Sequence, residues 1–421
     1  MFPPRGDKVK TKGAPFTAGV LLVLVAVALV AGGVGFYVGS TQHTGEVVGP
    51  SLPDVIKIGV LLPLSGDLAE IGEKMRNGAL LAAEEINAAG GIAGRKVQLV
   101  IRDTQTNPTV TVEAFNELVN VEGVKVVVGP AISPAVLSVA PIANDKGVVV
   151  ISPSATAPTI SDPSNDPNNF VFRVVGSDAL QGEAMAEIAN EMGFERAVCV
   201  VINNDYGVGL ANVISEKFAG EVVMVIKYDP KAASYRAEVS EIKSANPDVV
   251  FFVAFVESGS KFLKDARVEG LNVKWISSEG IADVAMFSDP EVAEYMASVE
   301  MVGTKPHSPT GSPTYMAFAE KYKERFGEEP GLYSDYAYDA VKLAALAIAF
   351  AGEYSGEAIR DALFVVSQSF VGATGIKPFN DYGDVPQEYD VWKVVSEDGE
   401  YQIATVGYWS PGMGIRWASE H

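Results

Sequence analysis

Short, continuously apolar segments alternate with longer amphipathic segments through most of this 421-residue chain. The segments at 126–128 (VVV), 198–202 (VCVVI) and 249–255 (VVFFVAF) lack the polar–apolar alternation of a strand with one wet face. Strands that are apolar on both faces are typical of parallel sheets covered by helices. At about 150 residues per domain, the length fits two or three domains. The pattern predicts an α/β fold with two doubly wound parallel-sheet lobes and a cleft between them.

The first 53 residues differ from the rest in composition. Four basic residues against Asp7 give residues 1–17 a net charge of +3, and residues 18–39 contain no charged side chain. At about 1.5 Å per residue, a helix of that length spans the hydrocarbon core of a bilayer. We expect a cytoplasmic basic tail at 1–17, a transmembrane anchor at 18–39 and a linker at 40–53, with the remainder extracytoplasmic. A cleaved signal peptide is the alternative for 18–39, although its apolar core would be long.

Charge and reactive residues narrow the function. The net charge of −21 argues against nucleic acid as a partner. Cys199 is the only cysteine and lies in an apolar run, which predicts a buried thiol. The three histidines at 43, 307 and 421 are too scattered to suggest a metal cluster. No nucleophile–base pair stands out, so we expect no cofactor, no metal and no enzymatic activity.

Two neighbouring loops carry the most informative polar residues. The runs VVVGPAISP at 126–134 and VVVISPSATAP at 148–158 are strands that end in small hydroxyl residues, and the stretch 135–146 predicts a helix between them. A strand–helix–strand unit makes the two strands parallel, so both loops lie at the same sheet edge, where open α/β sheets bind ligands. Ser133, Ser154 and Thr156 would then form a cradle for a small polar molecule. Taken singly, Ser133 before Pro134 also fits a helix cap, and the other two fit ordinary turns.

Three further residues follow strands of the second half of the chain. Tyr206 follows the strand at 198–202, Phe255 ends the strand at 249–255, and Glu279 follows a strand at 273–277. If the lobes face each other, Glu279 can pair with an ammonium group, and the two aromatic rings can cover an apolar side chain. A solvated loop carboxylate and ordinary core packing are the alternative interpretations of these residues.

The chain resembles a known family over residues 56–407. The resemblance rests on IKIGVLLPLSGDLAEIG at 56–72, INAAGGIAGRKVQLV at 86–100, the two loops ending at Ser133 and Pro158, NNDYGVG at 203–209 and SSEG at 277–280. Together these segments resemble type I periplasmic binding proteins, the substrate-binding proteins of ABC importers for branched-chain amino acids. The resemblance implies a protein that binds a free amino acid between two lobes and delivers it to permease subunits.

The resemblance also implies roles for seven residues. Ser133 would hold the α-carboxylate, Ser154 and Thr156 would contact the carboxylate and the ammonium, and Glu279 would pair with the ammonium. Tyr206 and Phe255 would line the side-chain pocket together with Ile71, which stands where relatives often carry an aromatic residue.

The same resemblance implies the wiring of the lobes. The first lobe would comprise residues 54–173 and 304–378, and the second 176–302 and 384–410. Three hinge crossings would lie near Val174, Gly303 and Asn380. A ligand-sensing receptor for small amides or amino acids, acting through a partner protein, remains the alternative function.

Overall fold

The computed structural model describes residues 52–397 and 399–418. The first part of the chain alternates strands and helices: β1 (Val55–Leu62), α1 (Ala69–Ala88), β2 (Lys96–Asp103), α2 (Pro108–Asn120), β3 (Val126–Val128), α3 (Ser133–Lys146), β4 (Val149–Ser152) and β5 (Val171–Arg173). The five strands form one parallel sheet in the order β2-β1-β3-β4-β5. β3 and β4 are fully buried, as their apolar sequences predict.

A second alternating series follows. It comprises α4 (Asp178–Glu191), β6 (Arg196–Ile202), α5 (Asp205–Lys217), β7 (Glu221–Tyr228), α6 (Arg236–Ala245), β8 (Val249–Val253), α7 (Val256–Val268), β9 (Lys274–Ser277), α8 (Pro290–Ser298) and β10 (Val302–Pro306). These strands are parallel to one another. A β-bulge at Val223 interrupts the pairing of β7 with β6.

The C-terminal part is first helical and then forms strands. Its elements are α9 (Pro313–Phe326), α10 (Ser334–Ala351), α11 (Gly356–Val366), the short pair β11 (Val371–Gly372) and β12 (Gly375–Ile376), and the late strands β13 (Tyr389–Glu397), β14 (Glu400–Ser410) and β15 (Gly414–Trp417). The late strands extend the second sheet in an antiparallel sense, giving the order β15-β14-β13-β10-β9-β8-β6-β7. The second sheet is therefore mixed, whereas the sequence pattern predicted only parallel strands.

The chain returns to the first sheet before it completes the second. α10 packs against α1, β3 and β4, and α11 packs against α10 and β4. We call β1–β5 with α1–α3 and α9–α11 the first lobe, and β6–β10 and β13–β15 with α4–α8 the second lobe. The second sheet holds the chain as far as Pro306, three residues past the crossing expected near Gly303. β15 also extends this sheet beyond residue 410.

Most of what the sequence predicts for the N-terminus concerns residues outside the described ranges. The basic tail, the anchor at 18–39 and most of the linker lie outside the described residues. Leu52, expected at the end of the linker, is buried, and its carbonyl oxygen accepts a hydrogen bond from Arg95 Nε at 3.1 Å. Within residues 52–397 and 399–418, no helix has the length and apolarity needed to cross a membrane.

Candidate functional site

A small cavity, partly open to solvent, lies between the carboxyl-end loops of the two sheets. The first lobe contributes Ser133, Ser154 and Thr156, and the second contributes residues from three different loops. All seven residues expected at the site line this cavity: Ile71, Ser133, Ser154, Thr156, Tyr206, Phe255 and Glu279.

The Ser133 hydroxyl joins the two polar loops of the first lobe. Its Oγ accepts hydrogen bonds from the backbone N–H groups of Thr156 at 3.2 Å and Ala157 at 3.1 Å. The expectation that both loops meet at one sheet edge is therefore confirmed. The interpretation of Ser133 as a helix cap is wrong, because no side chain caps α3 and Ser133 already lies within the helix. Its hydroxyl proton stays free for another acceptor.

Two further serines fix the loop that follows β4. Ser154 Oγ donates to the carbonyl oxygen of Ala131 at 2.8 Å, and Ser152 Oγ donates to that of Pro130 at 2.6 Å. Ser152 Oγ also accepts from the N–H of Ala155 at 3.0 Å. This end of the cavity is thus a rigid set of short polar side chains and backbone groups, and it contains no charged side chain among its lining residues.

The opposite wall carries a buried carboxyl group. Glu279 lies in a short 3-10 turn after β9 and is only 4% exposed. Its Oε2 accepts from Gln181 Nε2 at 2.6 Å, and the same amide nitrogen donates to Thr304 Oγ1 at 3.0 Å. Burial raises the pKa of Glu279, while the hydrogen bond from Gln181 opposes this rise.

Glycine allows the turn that carries Glu279 to sit close to β8. A Cβ atom at Gly280 would lie 2.2 Å from the carbonyl oxygen of Ala254. Any larger residue there would push the turn away from the strand end, and Glu279 would move with it.

Two aromatic rings form the side wall. Tyr206 and Phe255 are stacked with centroids 5.7 Å apart and planes 3° from parallel. Asn204 caps α5 by accepting from the N–H of Gly207, which places Tyr206 in the first turn of that helix. The Tyr206 hydroxyl donates to Ser278 Oγ at 2.7 Å, so the ring is held at both ends.

Several lining residues were missed by the sequence reasoning. Tyr333 lies immediately before α10 with a backbone φ of +65°, a left-handed conformation that is uncommon for a residue other than glycine. Leu68, Met75, Ile132 and Leu332 add apolar surface to the cavity. Met75 lies one helical turn after Ile71 on α1, whereas nothing in the sequence around Tyr333 signals a site residue.

A second buried carboxyl group lies beside the lining and was also missed. Asp178, the first residue of α4, is fully buried, and neither of its carboxylate oxygens has a hydrogen-bond partner among the described residues. Burial, followed by the neighbouring charge of Glu279, raises the pKa of Asp178 well above its usual value. The Arg173 guanidinium opposes this rise.

Behind the first-lobe loops, a buried ion pair ties two chain crossings together. Arg173 Nε donates to Asp384 Oδ1 at 2.5 Å, and the Arg173 side chain is 1% exposed. The same guanidinium donates to the carbonyl oxygen of Ala157 at 3.0 Å and to Ser161 Oγ at 2.6 Å. Arg173 therefore links the crossing after β5, the crossing before β13 and the loop that carries Thr156.

Other sequence features lie away from the cavity. Cys199 is buried in β6, and burial raises the pKa of its thiol to about 12. His307 contacts Asp390 at 2.7 Å on the second lobe. No group of three or more potential metal-ligating side chains occurs in the part of the chain that the structure describes.

Comparison with known families identifies the class of protein. The family of periplasmic binding proteins matches residues 55–399, which is most of the chain. The chain belongs to the periplasmic binding protein family. Its fold is that of a type I binding protein.

Individual relatives of this binding protein agree with that assignment. The leucine-, isoleucine-, valine-, threonine- and alanine-binding protein of Pseudomonas aeruginosa is 30% identical over 336 residues, covering 79% of this chain and 87% of the relative. The crystal structure of a leucine-binding protein from Thermotoga maritima has a TM-score of 0.75 and 27% identity, and the match covers 85% of this chain and 99% of that one.

The fold also occurs with other ligands. A solute-binding protein of an ABC transporter from Rhodopseudomonas palustris, solved with 3,4-dihydroxybenzoic acid, has a TM-score of 0.71 and 23% identity, covering 84% of this binding protein and 97% of that chain. At 23% identity, this match shows only that the two proteins share a fold. The ligand has to be argued from the residues around the cavity.

Proposed function

We propose that this protein binds a free α-amino acid with an apolar side chain in the cavity between its lobes. The observation that carries the proposal is the polarity of the cavity. Hydroxyl and backbone groups lie on the first-lobe side, and a buried carboxyl lies on the second-lobe side. A zwitterion requires partners of opposite character for its two charges once water is removed.

The carboxylate end is assigned to the loops after β3 and β4. The Ser133 hydroxyl already accepts two backbone N–H groups, so its proton is available to a carboxylate oxygen. Thr156 and Ser154 line the same end. Hydrogen bonds to an ionised acceptor are shorter and stronger than neutral ones, so these donors orient the head group.

The ammonium end is assigned to Glu279. Glu279 is buried, and its carboxylate is held by the uncharged Gln181. An amino acid supplies the missing positive charge, whereas a benzoate or another simple carboxylate would leave the buried acid without a counterion. The buried carboxyl of Glu279 therefore favours an amino acid over the aromatic acid bound by the Rhodopseudomonas palustris protein.

The ligand side chain is assigned to the apolar part of the cavity. Ile71, Met75, Ile132 and Leu332 face this space together with the stacked rings of Tyr206 and Phe255. Burying an aliphatic side chain is favourable by about 1.5–3 kcal/mol relative to exposure. The leucine-binding relatives support a branched aliphatic ligand. Ile71 stands where relatives often carry an aromatic residue, so an aliphatic side chain would take the place of a ring beside the ligand side chain.

Delivery to an ABC permease completes the proposal. The first and the second lobe would close as rigid bodies, and a ligand that contacts both lobes would favour the closed form. The protein would act outside the cytoplasm, anchored by residues 18–39 or released if that segment is cleaved.

The test is calorimetric titration of the protein with the common α-amino acids and with benzoate. We expect at least one aliphatic amino acid to bind, benzoate not to bind, and Glu279→Gln to weaken the binding. No heat with any α-amino acid would refute the proposal, as would unchanged binding by Glu279→Gln.

A further inference from the structure

Two buried acids lie near each other on the second lobe, because Gln181, in the same helical turn as Asp178, donates to Glu279 Oε2 at 2.6 Å. Asp178 is fully buried with both oxygens unpartnered among the described residues, and Glu279 is 4% exposed with an uncharged amide on one oxygen. The nearby cation is Arg173, whose guanidinium is already paired with Asp384. Two bare negative charges in such a place are costly, because desolvation penalises each charge and the charges repel.

We propose that Asp178 and Glu279 share one proton in the ligand-free protein, and that the ammonium group of the ligand displaces this proton to solvent on binding. The second half of the proposal rests on the proposed function. The exchange balances: one carboxyl O–H bond breaks, its proton goes to solvent, and one positive charge of the ligand replaces it. The net charge of the buried group therefore stays the same, which avoids a large electrostatic cost.

Among residues 52–397 and 399–418, the groups around the two acids offer no other source of positive charge. The titratable and charged side chains that act on the two acids come from α5, the start of α10, β13 and β5: Tyr206, Tyr333, Tyr389 and Arg173. Burial raises the pKa of all three tyrosines well above the usual value, so they stay neutral near pH 7. Burial likewise raises the pKa of both acids, which is the direction that retains a proton.

Asp178 and Glu279 lie on the same lobe, so opening of the cleft would not separate them. Asp178 starts α4 and Glu279 follows β9, and both elements belong to the second lobe. Their mutual repulsion is therefore built into one lobe, whereas Thr156 and Tyr333 approach from the other.

Infrared spectroscopy of the ligand-free protein tests the first half directly. At about pH 7.5, we expect the wild-type protein to show a protonated-carboxyl absorption that is weaker in both Asp178→Asn and Glu279→Gln, since removal of either acid takes away the charge repulsion that adds to the effect of burial on the other. Asp335→Asn, at another fully buried carboxyl, is the control and should keep the band. Circular dichroism establishes that each variant is folded. Equal bands in the wild type and in both site variants would overturn the proposal.

Calorimetry with L-leucine in two buffers of different ionisation enthalpy tests the second half. At about pH 7.5, we expect the wild type to release close to one proton per ligand, and Asp178→Asn to release fewer. Asp67, at the mouth of the cleft, has a pKa raised to about 6 by burial and by Glu257, so it stays largely ionised at that pH and adds little to the count. Identical heats in both buffers for the wild type would overturn the exchange.

The two proposals fail in different ways. If neither L-leucine nor any other α-amino acid binds, the proposed function falls, and the infrared comparison still decides whether the pair holds a proton. If an amino acid binds without proton release, the proposed function stands and the exchange is refuted.

Discussion

The side-chain oxygen of Ser133 accepts the backbone N–H of Thr156 at 3.2 Å, which makes one rigid unit of the loops after β3 and β4. These residues lie 23 positions apart and come from different loops of the same sheet edge. Removal of the hydroxyl leaves two backbone N–H groups without their acceptor and takes one donor from the proposed carboxylate site.

Ser133→Ala should therefore weaken amino acid binding by about tenfold, the usual effect of losing one hydrogen bond of about 1.5 kcal/mol. Calorimetric titration measures the affinity. Ser138→Ala is the matched control, because Ser138 lies on the same helix and its hydroxyl bonds only to the carbonyl oxygen of Pro134. Equal losses in both variants would contradict the role assigned to Ser133.

Arg173→Met should lower the free energy of unfolding by about 3–5 kcal/mol, because it leaves the partner of a buried ion pair uncompensated. The variant also removes the donor to the Ala157 carbonyl oxygen. Chemical denaturation measures the change. Arg325→Met is the control: Arg325 pairs with Glu84 on the surface, and such pairs contribute about 0–1 kcal/mol. Comparable losses at the two positions would show that burial of the Arg173 pair is unimportant.

Phe255→Ala should weaken the binding of large ligands more than that of small ones. The stacked ring forms part of the proposed side-chain wall, and loss of buried apolar contact is expected to reduce leucine affinity by about tenfold or more. The affinity for alanine as the ligand should fall much less, since the methyl group of that ligand covers little of the wall. The leucine-to-alanine affinity ratio is the measurement, with exposed Phe350→Ala as control. An unchanged ratio would place the ligand side chain elsewhere.

Lys377 gives a prediction about stability and pH. Burial lowers the pKa of its ammonium to about 8, although Asp339 and Asp335 oppose the shift. Between about pH 8 and 10.5, the unfolded chain binds this proton and the folded protein does not, so stability rises with pH across that range. Relative to Lys377→Met, the wild type should gain up to about 3 kcal/mol in unfolding free energy from pH 8 to 10.5. A difference that does not change with pH would refute the assignment.

The sequence located much of the cavity because strand ends can be recognised. Ser133, Thr156, Phe255 and Glu279 each follow a short apolar run, and parallel strands place such residues at one edge. Tyr333 was not predicted as a cavity residue, because it precedes a helix rather than following a strand. Its position also depends on a left-handed backbone turn. The seven residues are thus brought together by the structure, while their roles toward a ligand stay predictions.

The features that the sequence did not predict depend on contacts between residues far apart in the chain. Asp178 lies in the first turn of a helix, where an acid is ordinarily interpreted as favourable with the helix dipole. Only the packing of α4 against the second sheet reveals that Asp178 is buried next to Glu279. Likewise, β10 could not be assigned from the sequence, because its pairing with β13 joins segments more than 80 residues apart.

The most direct test of an amino acid site is the contribution of the ligand's amine. The measurement is calorimetric titration of the wild type and of Glu279→Gln with the tightest-binding amino acid and with its deaminated analogue, which for leucine is 4-methylpentanoate. We expect the wild type to prefer the amino acid by about hundredfold or more, because a charge-assisted hydrogen bond and the counterion of a buried acid are both lost with the amine. In Glu279→Gln this preference should shrink. Equal affinity of the wild type for the two ligands would contradict the proposed site.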